Sequence, residues 1–353
     1  MRSGEGVAVP ENYHPKIVSS ALSDPFRLCD GLGGASAEFR RLVRIEDISG
    51  QDEVSLKKFV AFLELAAQSL HRPDFGWSVG AVYDLENLGS FGRFVREAPS
   101  LGVALRFFCK AFAMVQSDSE LELKVQDGEA VLSYRILDLG IWPRGQDAEL
   151  TLSVLYHLIR SVAGPDWRPS LITLEHHAGP IWQDPANGPK CRVSSGAMAN
   201  CMCFPARVLE LPMRDTGKAL FSGLSQAASD QCRKQEREAP VTIRVRREII
   251  RRLGRDCLDQ TRIAETLGFS RRTLRRRLEA EGQSFSDLLA DCRMRQAERM
   301  LEETDRPLAA ISVHLGYAEV SAFERAFKAR GGVTPAQYRR RGGRASFGVD
   351  VTA

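Results

Sequence analysis

Apolar positions in the first two thirds of the chain recur at helical spacing, then at strand spacing, then at helical spacing again. The segment 56–70, LKKFVAFLELAAQSL, predicts an amphipathic helix that stops before Arg72-Pro73. Helices are also predicted over 91–98 and 101–115, divided by Pro99-Ser100, with Ser100 as a candidate N-cap. The period then shortens. Segments 120–125 and 130–137, on either side of Asp127-Gly128, predict a β-hairpin. A helix follows over 147–163 and a strand over 171–176. Residues 178–200, rich in Gly, Pro, Asn and Ser, predict loop. A further strand is predicted over 200–204, with Pro205 opening a short helix, and a polar helix from about 216 to 237 leads to a linker punctuated by Pro240. Residues 1–50 predict an irregular lead-in with short apolar patches.

After Thr242 the strand signals mostly cease. Short helices are predicted, with breaks at Gly254, Gly268, Gly282, Pro307, Gly316 and Gly331-Gly332. The pattern therefore predicts an α+β N-terminal domain followed by an all-α C-terminal domain of roughly 100 residues, an ordinary domain size.

The C-terminal part repeats itself. Ile263-Ala264-Glu265-Thr266-Leu267-Gly268-Phe269 matches Ile311-Ser312-Val313-His314-Leu315-Gly316-Tyr317 at an offset of 48. After one extra residue, Leu274, Arg276 and Leu278 match Phe323, Arg325 and Phe327 at an offset of 49. Each copy predicts a helix, a glycine turn and a second helix, which makes two helix-turn-helix units. Small Ala264 and Ser312 let the helices approach closely, and Ile263, Leu267, Ile311 and Leu315 bury one face of each first helix. Between the copies, 285–303 predicts a rigid connecting helix. Such a connector would set the second helices roughly 34 Å apart, one turn of DNA.

In each second helix the face opposite the apolar pair follows from about 100° per residue. The first copy presents Arg272, Arg275, Arg276 and Glu279, and the second Ser321, Glu324, Arg325 and Lys328. Arginine is the commonest specific reader of guanine, whereas carboxylates meet DNA favourably only at cytosine amino groups or through water. Arg271 and Arg277 flank the core face and suit phosphate or solvent. The competing explanation for all these charges is a solvated helix surface.

Charge distribution favours the nucleic acid. The whole chain of 353 residues carries a formal net charge of only +4. Yet residues 233–345 hold 24 Arg and two Lys against 16 Asp and Glu, while residues 1–232 carry a net of −5. Arginine is suited to bidentate contact with phosphate and guanine. The 43% hydrophobic and 27% charged fractions are ordinary for globular protein. With no long apolar run, no membrane span is expected. The first residues lack a signal-peptide core and the eight cysteines are scattered, which together predict a cytoplasmic protein.

The segments IAETLGFSRRTLRRRLEAEGQSFSDLLADCRMRQAERML and PLAAISVHLGYAEVSAFERAFKARGGVTPAQYRR resemble the AraC/XylS family of bacterial transcription regulators. The resemblance runs from about Val245 to Arg340 and includes Gly316-Tyr317, Phe323, Arg325, Phe327-Lys328, Gly332, Pro335, Tyr338 and Arg339. It implies double-stranded promoter DNA and RNA polymerase as partners, with no cofactor. Base contacts then fall on Arg272, Arg275 and Arg276, and on Val320, Ser321 and Arg325, with Lys328 beside them. One departure stands out. Ala318-Glu319-Val320 replaces a polar, turn-favouring pair, which weakens the expected N-cap of the second recognition helix. PSLGVALRFFCKAFAMV, PDWRPSLITLEHHAGP and CMCFPARVLELPM resemble the family's arabinose-binding type of N-terminal region, which implies a small-molecule effector, dimerisation, or both. The implied organisation is a lead-in over 1–38, an effector-binding or dimerisation domain over 39–225, a linker over 226–242, the DNA-binding domain over 243–341 and a tail over 342–353.

Other chemistry has less support. His176-His177 lies near Cys191, Cys201 and Cys203, but adjacent residues of a strand point to opposite faces, so no metal site is expected. No P-loop, G-x-S-x-G or H-E-x-x-H motif is present, so catalysis is not expected. The alternatives are a constitutive regulator whose first domain only dimerises, and an enzyme with a DNA-binding appendage that uses an activated cysteine.

Overall fold

The computed structural model describes residues 13–45, 52–179, 182, 188–213, 230, 232, 234 and 236–341. They form two compact units, one running from His14 to Arg237 and one from Glu238 onward together with Tyr13.

The first unit opens with β1 (Lys16–Val18), α1 (Ser23–Gly31) and α2 (Ser36–Leu42), so the expected irregular lead-in is in part helical. These elements are too short for a readable period, and tertiary packing holds them. Ala21, Leu22, Phe26 and Cys29 join the same core as the later helices. Next come β2 (Glu53–Ser55), which pairs antiparallel with β1, then α3 (Leu56–Ser69) and α4 (Phe75–Val82). The last was not predicted, because FGWSVGAV carries two glycines. Those glycines are what the packing needs. A Cβ at Gly76 would lie 2.0 Å from the carbonyl oxygen of Gln146, and one at Gly80 2.4 Å from Ser153 Cβ. Then follow α5 (Ser90–Arg96) and α6 (Leu101–Ala111), the latter capped by Ser100 as expected. A 3-10 turn over Phe112–Met114 replaces the predicted end of that helix.

The hairpin forms as predicted from β3 (Ser119–Gln126) and β4 (Glu129–Ile136), with positive φ at both Asp127 and Gly128. Helix α7 (Gly145–Ala163) follows, then β5 (Leu171–Thr173), β6 (Arg192–Ser194) and β7 (Asn200–Pro205). Strand β6 lies inside the span expected as loop. It is a three-residue strand that pairs parallel with β5 at one end of the sheet. The sheet order is β3-β4-β7-β5-β6. Leu132, Met202 and Ile172 sit directly opposite one another across three strands and are fully buried. Most of the polar helix expected over 216–237 lies outside the described residues.

The second unit is all helical: α8 (Val241–Arg252), α9 (Gln260–Thr266), α10 (Arg271–Ala280), α11 (Phe285–Glu303), α12 (Leu308–His314), α13 (Val320–Gly331) and α14 (Pro335–Arg340). Ser270 caps α10, Ser284 caps α11, and Thr334 with Gln337 forms a capping box on α14. The amides of Val241 and Thr242 at the start of α8 donate to the Glu281 carboxylate at 2.9 and 2.8 Å, which ties that helix to the loop after α10.

Candidate nucleic-acid interface

Helices α9 and α10 form one helix-turn-helix, and α12 and α13 the other. Ile263, Ala264, Leu274 and Leu278 are fully buried in the first, as are Ile311, Leu315 and Phe327 in the second, with Phe323 nearly so. The two turns depend on Gly268 and Gly316, with φ of +76° and +73°, a region that favours glycine. Gly316 has a second reason to be glycine. An added Cβ would stand 3.2 Å from the Arg293 guanidinium.

That arginine belongs to a repeated device that lies upstream of the segments matched above. Arg293 of α11 donates to the carbonyl oxygens of Leu315 and Gly316 at 2.7 and 2.9 Å, and its guanidinium lies 4.6 Å from the Tyr317 ring centre. Arg244 of α8 donates to the carbonyl oxygen of Leu267 at 3.1 Å and lies 5.0 Å from the Phe269 ring. The two arginines are 49 residues apart, the offset that already relates the second helices. Arg244-Val245-Arg246 thus matches Arg293-Met294-Arg295, and each repeat has three helices rather than two. An Arg-apolar-Arg triplet upstream of each copy was the available signal.

With their apolar faces fixed in this way, the recognition helices turn the expected side chains outward. Arg272, Arg275 and Arg276 are all exposed on α10. On α13, Ser321, Arg325 and Lys328 are exposed and Val320 is half-buried. Arg277 is exposed as well, and its guanidinium lies 4.6 Å from the centre of the Phe269 ring. Arg275 Nε donates to Glu279 Oε1 at 2.7 Å, and that carboxylate raises the arginine's already high pKa. No side chain caps α13, as the Ala318-Glu319-Val320 departure predicted. Instead the N-cap Glu319 accepts a hydrogen bond from Ser321 Oγ at 3.1 Å. Two of the polar groups on these faces therefore start with a carboxylate partner.

Elsewhere, His176 Nε2 and Trp182 Nε1 both meet Glu149 Oε1, at 2.9 and 3.1 Å. Burial works against a charged His176, but the carboxylates of Glu149, Glu64 and Glu175 together outweigh it and the imidazole pKa is shifted upward. Burial pushes the Cys191 and Cys203 thiols up to about 11, so neither is an activated nucleophile.

Residues 263–341 match the profile of a helix-turn-helix domain, and residues 38–213 that of the arabinose-binding N-terminal domain of AraC transcription regulators. The chain belongs to the AraC family of DNA-binding transcription regulators.

Among its relatives, the ornithine utilization regulator of Pseudomonas aeruginosa is 28% identical over 78% of this chain and 82% of its own length. The transcriptional regulator VirS of Mycobacterium tuberculosis is 29% identical over 82% of this chain and 85% of its own. Among solved structures, the transcriptional regulator CdpR from Pseudomonas aeruginosa covers 78% of this chain and 91% of its own, with 21% identity and a TM-score of 0.38. Among the described residues of this AraC-family chain, no helix is long and apolar enough to cross a membrane.

Proposed function

We propose that the chain reads promoter DNA with α10 and α13 in the major groove, and that a small-molecule effector bound by the first unit modulates this binding. The observation that carries the DNA reading is the repeat itself. Two helices with buried apolar stripes, each preceded by an arginine-clamped turn, both turn cationic side chains outward. Arg272, Arg275 and Arg276 are the main base readers. Val320, Ser321, Arg325 and Lys328 add a second, weaker set, because Ser321 is engaged by Glu319 and α13 lacks a side-chain cap. A promoter-bound regulator acts on RNA polymerase by contact or by occlusion, and it does so in the cytoplasm, where bacterial promoters are. Two copies paired through the first unit would double the sequence read. No catalytic role is assigned, and the half-buried Cys191 and Cys203 have thiols raised rather than activated.

The test uses a duplex selected from random sequence by the full-length protein. Arg276→Ala should cost about 1–3 kcal/mol there and relax preference at one base position. An equal loss on every sequence, with the salt slope reduced by about one, would make Arg276 a phosphate contact. Unchanged affinity would remove α10 from the interface.

A further inference from the structure

The first unit holds a pocket open to solvent on one side, with about 430 Å³ of empty space when that open solvent is counted. Its walls are mainly apolar side chains from α3, α6 and α7, among them Phe59, Phe108, Leu150 and Val154. Gln116, Asp147 and Thr151 also line it, together with Tyr83, whose hydroxyl donates to the Ala21 carbonyl oxygen at 3.3 Å. Asp147 and Thr151 are four apart on α7 and so share a face of that helix.

Asp147 is an unusual residue to find there. It is 1% exposed, and among the described residues no Lys or Arg forms an ion pair with it. Its Oδ2 accepts a hydrogen bond from the Tyr134 hydroxyl at 2.5 Å. Gln116 Nε2 in turn donates to that hydroxyl and to Ser119 Oγ, each at 2.7 Å. Burial pushes the Asp147 carboxyl up to about 6, against the pull of the Tyr134 hydrogen bond and of the more distant Arg144. Thr151 is 6% exposed, and its hydroxyl makes no hydrogen bond among the described residues. An apolar core of the same shape would be easier to bury than this arrangement. The polar groups are therefore best explained by something that enters the cavity.

Taking the first unit as the effector-sensing part, as proposed above, we infer that this cavity binds a small, largely apolar molecule bearing one hydrogen-bond donor, a hydroxyl or an ammonium group. The donor meets Asp147 and Thr151, and the hydrocarbon body lies against Phe59, Phe108 and Leu150. A carboxylate ligand would face the Asp147 charge. A sugar fits no better. A pentose carries a hydroxyl on nearly every carbon, and this lining would leave most of them buried without partners. Small-molecule sites elsewhere share this design, an apolar pocket with a few placed polar groups.

The experiment follows thermal unfolding of the full-length protein with phenethyl alcohol, phenethylamine, phenylacetate or L-arabinose at equal millimolar concentration. The first two are expected to raise the unfolding midpoint by a few degrees, and the last two to leave it in place. Val154→Phe fills the cavity and should abolish both shifts. Thr151→Val exchanges a hydroxyl for a methyl in nearly the same shape, so it tests the site if the larger change prevents folding, and it should reduce both shifts. Asp147→Asn should weaken the amine's effect more than the alcohol's. No shift from the alcohol or the amine, equal shifts from all four probes, or shifts unaltered in the Val154 and Thr151 variants would overturn the inference. Promoter affinity is measured alongside. A probe that fills the cavity without changing that affinity would leave the site standing and remove its role as an effector site.

Discussion

Arg330, near the end of the second recognition helix, donates to Asp291 Oδ1 of the connecting helix at 2.9 Å. The same carboxylate, 3% exposed, meets Arg295 at 3.2 Å and Arg246 of α8 at 3.5 Å. One buried anion thus joins three helices of the second unit. Removing the carboxylate takes a shared partner from Arg246, which is largely buried, and from Arg295 and Arg330, which are about a third exposed to water. Asp291→Ala is expected to cost about 2 kcal/mol of stability, read from urea unfolding. A midpoint equal to the parent's would show that the three arginines find other partners.

Glu279 holds Arg275 through an exposed ion pair, and on DNA that arginine must exchange its carboxylate for a base or a phosphate. Glu279→Gln is therefore expected to tighten promoter binding severalfold with little change in unfolding, since exposed pairs contribute little to stability. Fluorescence anisotropy at two salt concentrations checks this. Weaker binding would place Glu279 itself on the DNA.

Ser312 occupies the position that Ala264 occupies in the first repeat. It is 1% exposed, and its hydroxyl has no hydrogen-bond partner among the described residues. Ser312→Ala should raise stability by about 1 kcal/mol, the cost of leaving such a group unpaired. A loss of stability would mean that the hydroxyl is satisfied in solution.

Glu298 of the connecting helix has its carboxyl pushed from 4.5 up to about 7 by burial, with neighbouring Arg295 pulling the other way. The fold therefore favours the protonated form. Its contribution is fully present below pH 4.5 and is lost as pH rises through about 7. Glu298→Gln carries no such loss. The two proteins should be similarly stable in acid, diverge between pH 4.5 and 7, and keep a constant gap above that, as thermal melts across the range will show. A gap independent of pH would contradict the assignment.

The long amphipathic segments and the hairpin were legible because each carries enough periods, or a turn dipeptide, to announce itself. The connecting helix was predicted with the bounds it has, Phe285–Glu303. The outward faces of α10 and α13 followed from two buried apolar positions four residues apart. Helix α4 is not legible in the sequence because Gly76 and Gly80 oppose helix formation locally and are justified only by contact with α7. Helices α1 and α2 and strand β6 are too short to show a period. The Arg244 and Arg293 clamps left only a faint mark, the Arg-apolar-Arg triplet upstream of each copy, because both grip backbone oxygens that no side-chain pattern encodes. The Asp147 cavity gave no signal either, because its polar residues lie in separate parts of the chain.

Because Arg293 and Arg244 hold their turns through carbonyl oxygens and a flat ring, their grip ignores which side chains the following helix displays. A change at Arg276 or Arg325 alters what is displayed without loosening what displays it. The scaffold of this unit is thereby insulated from drift in its operator preference. A duplicated three-helix block of this kind lets each half acquire a new target sequence separately while the other keeps its hold on the old one.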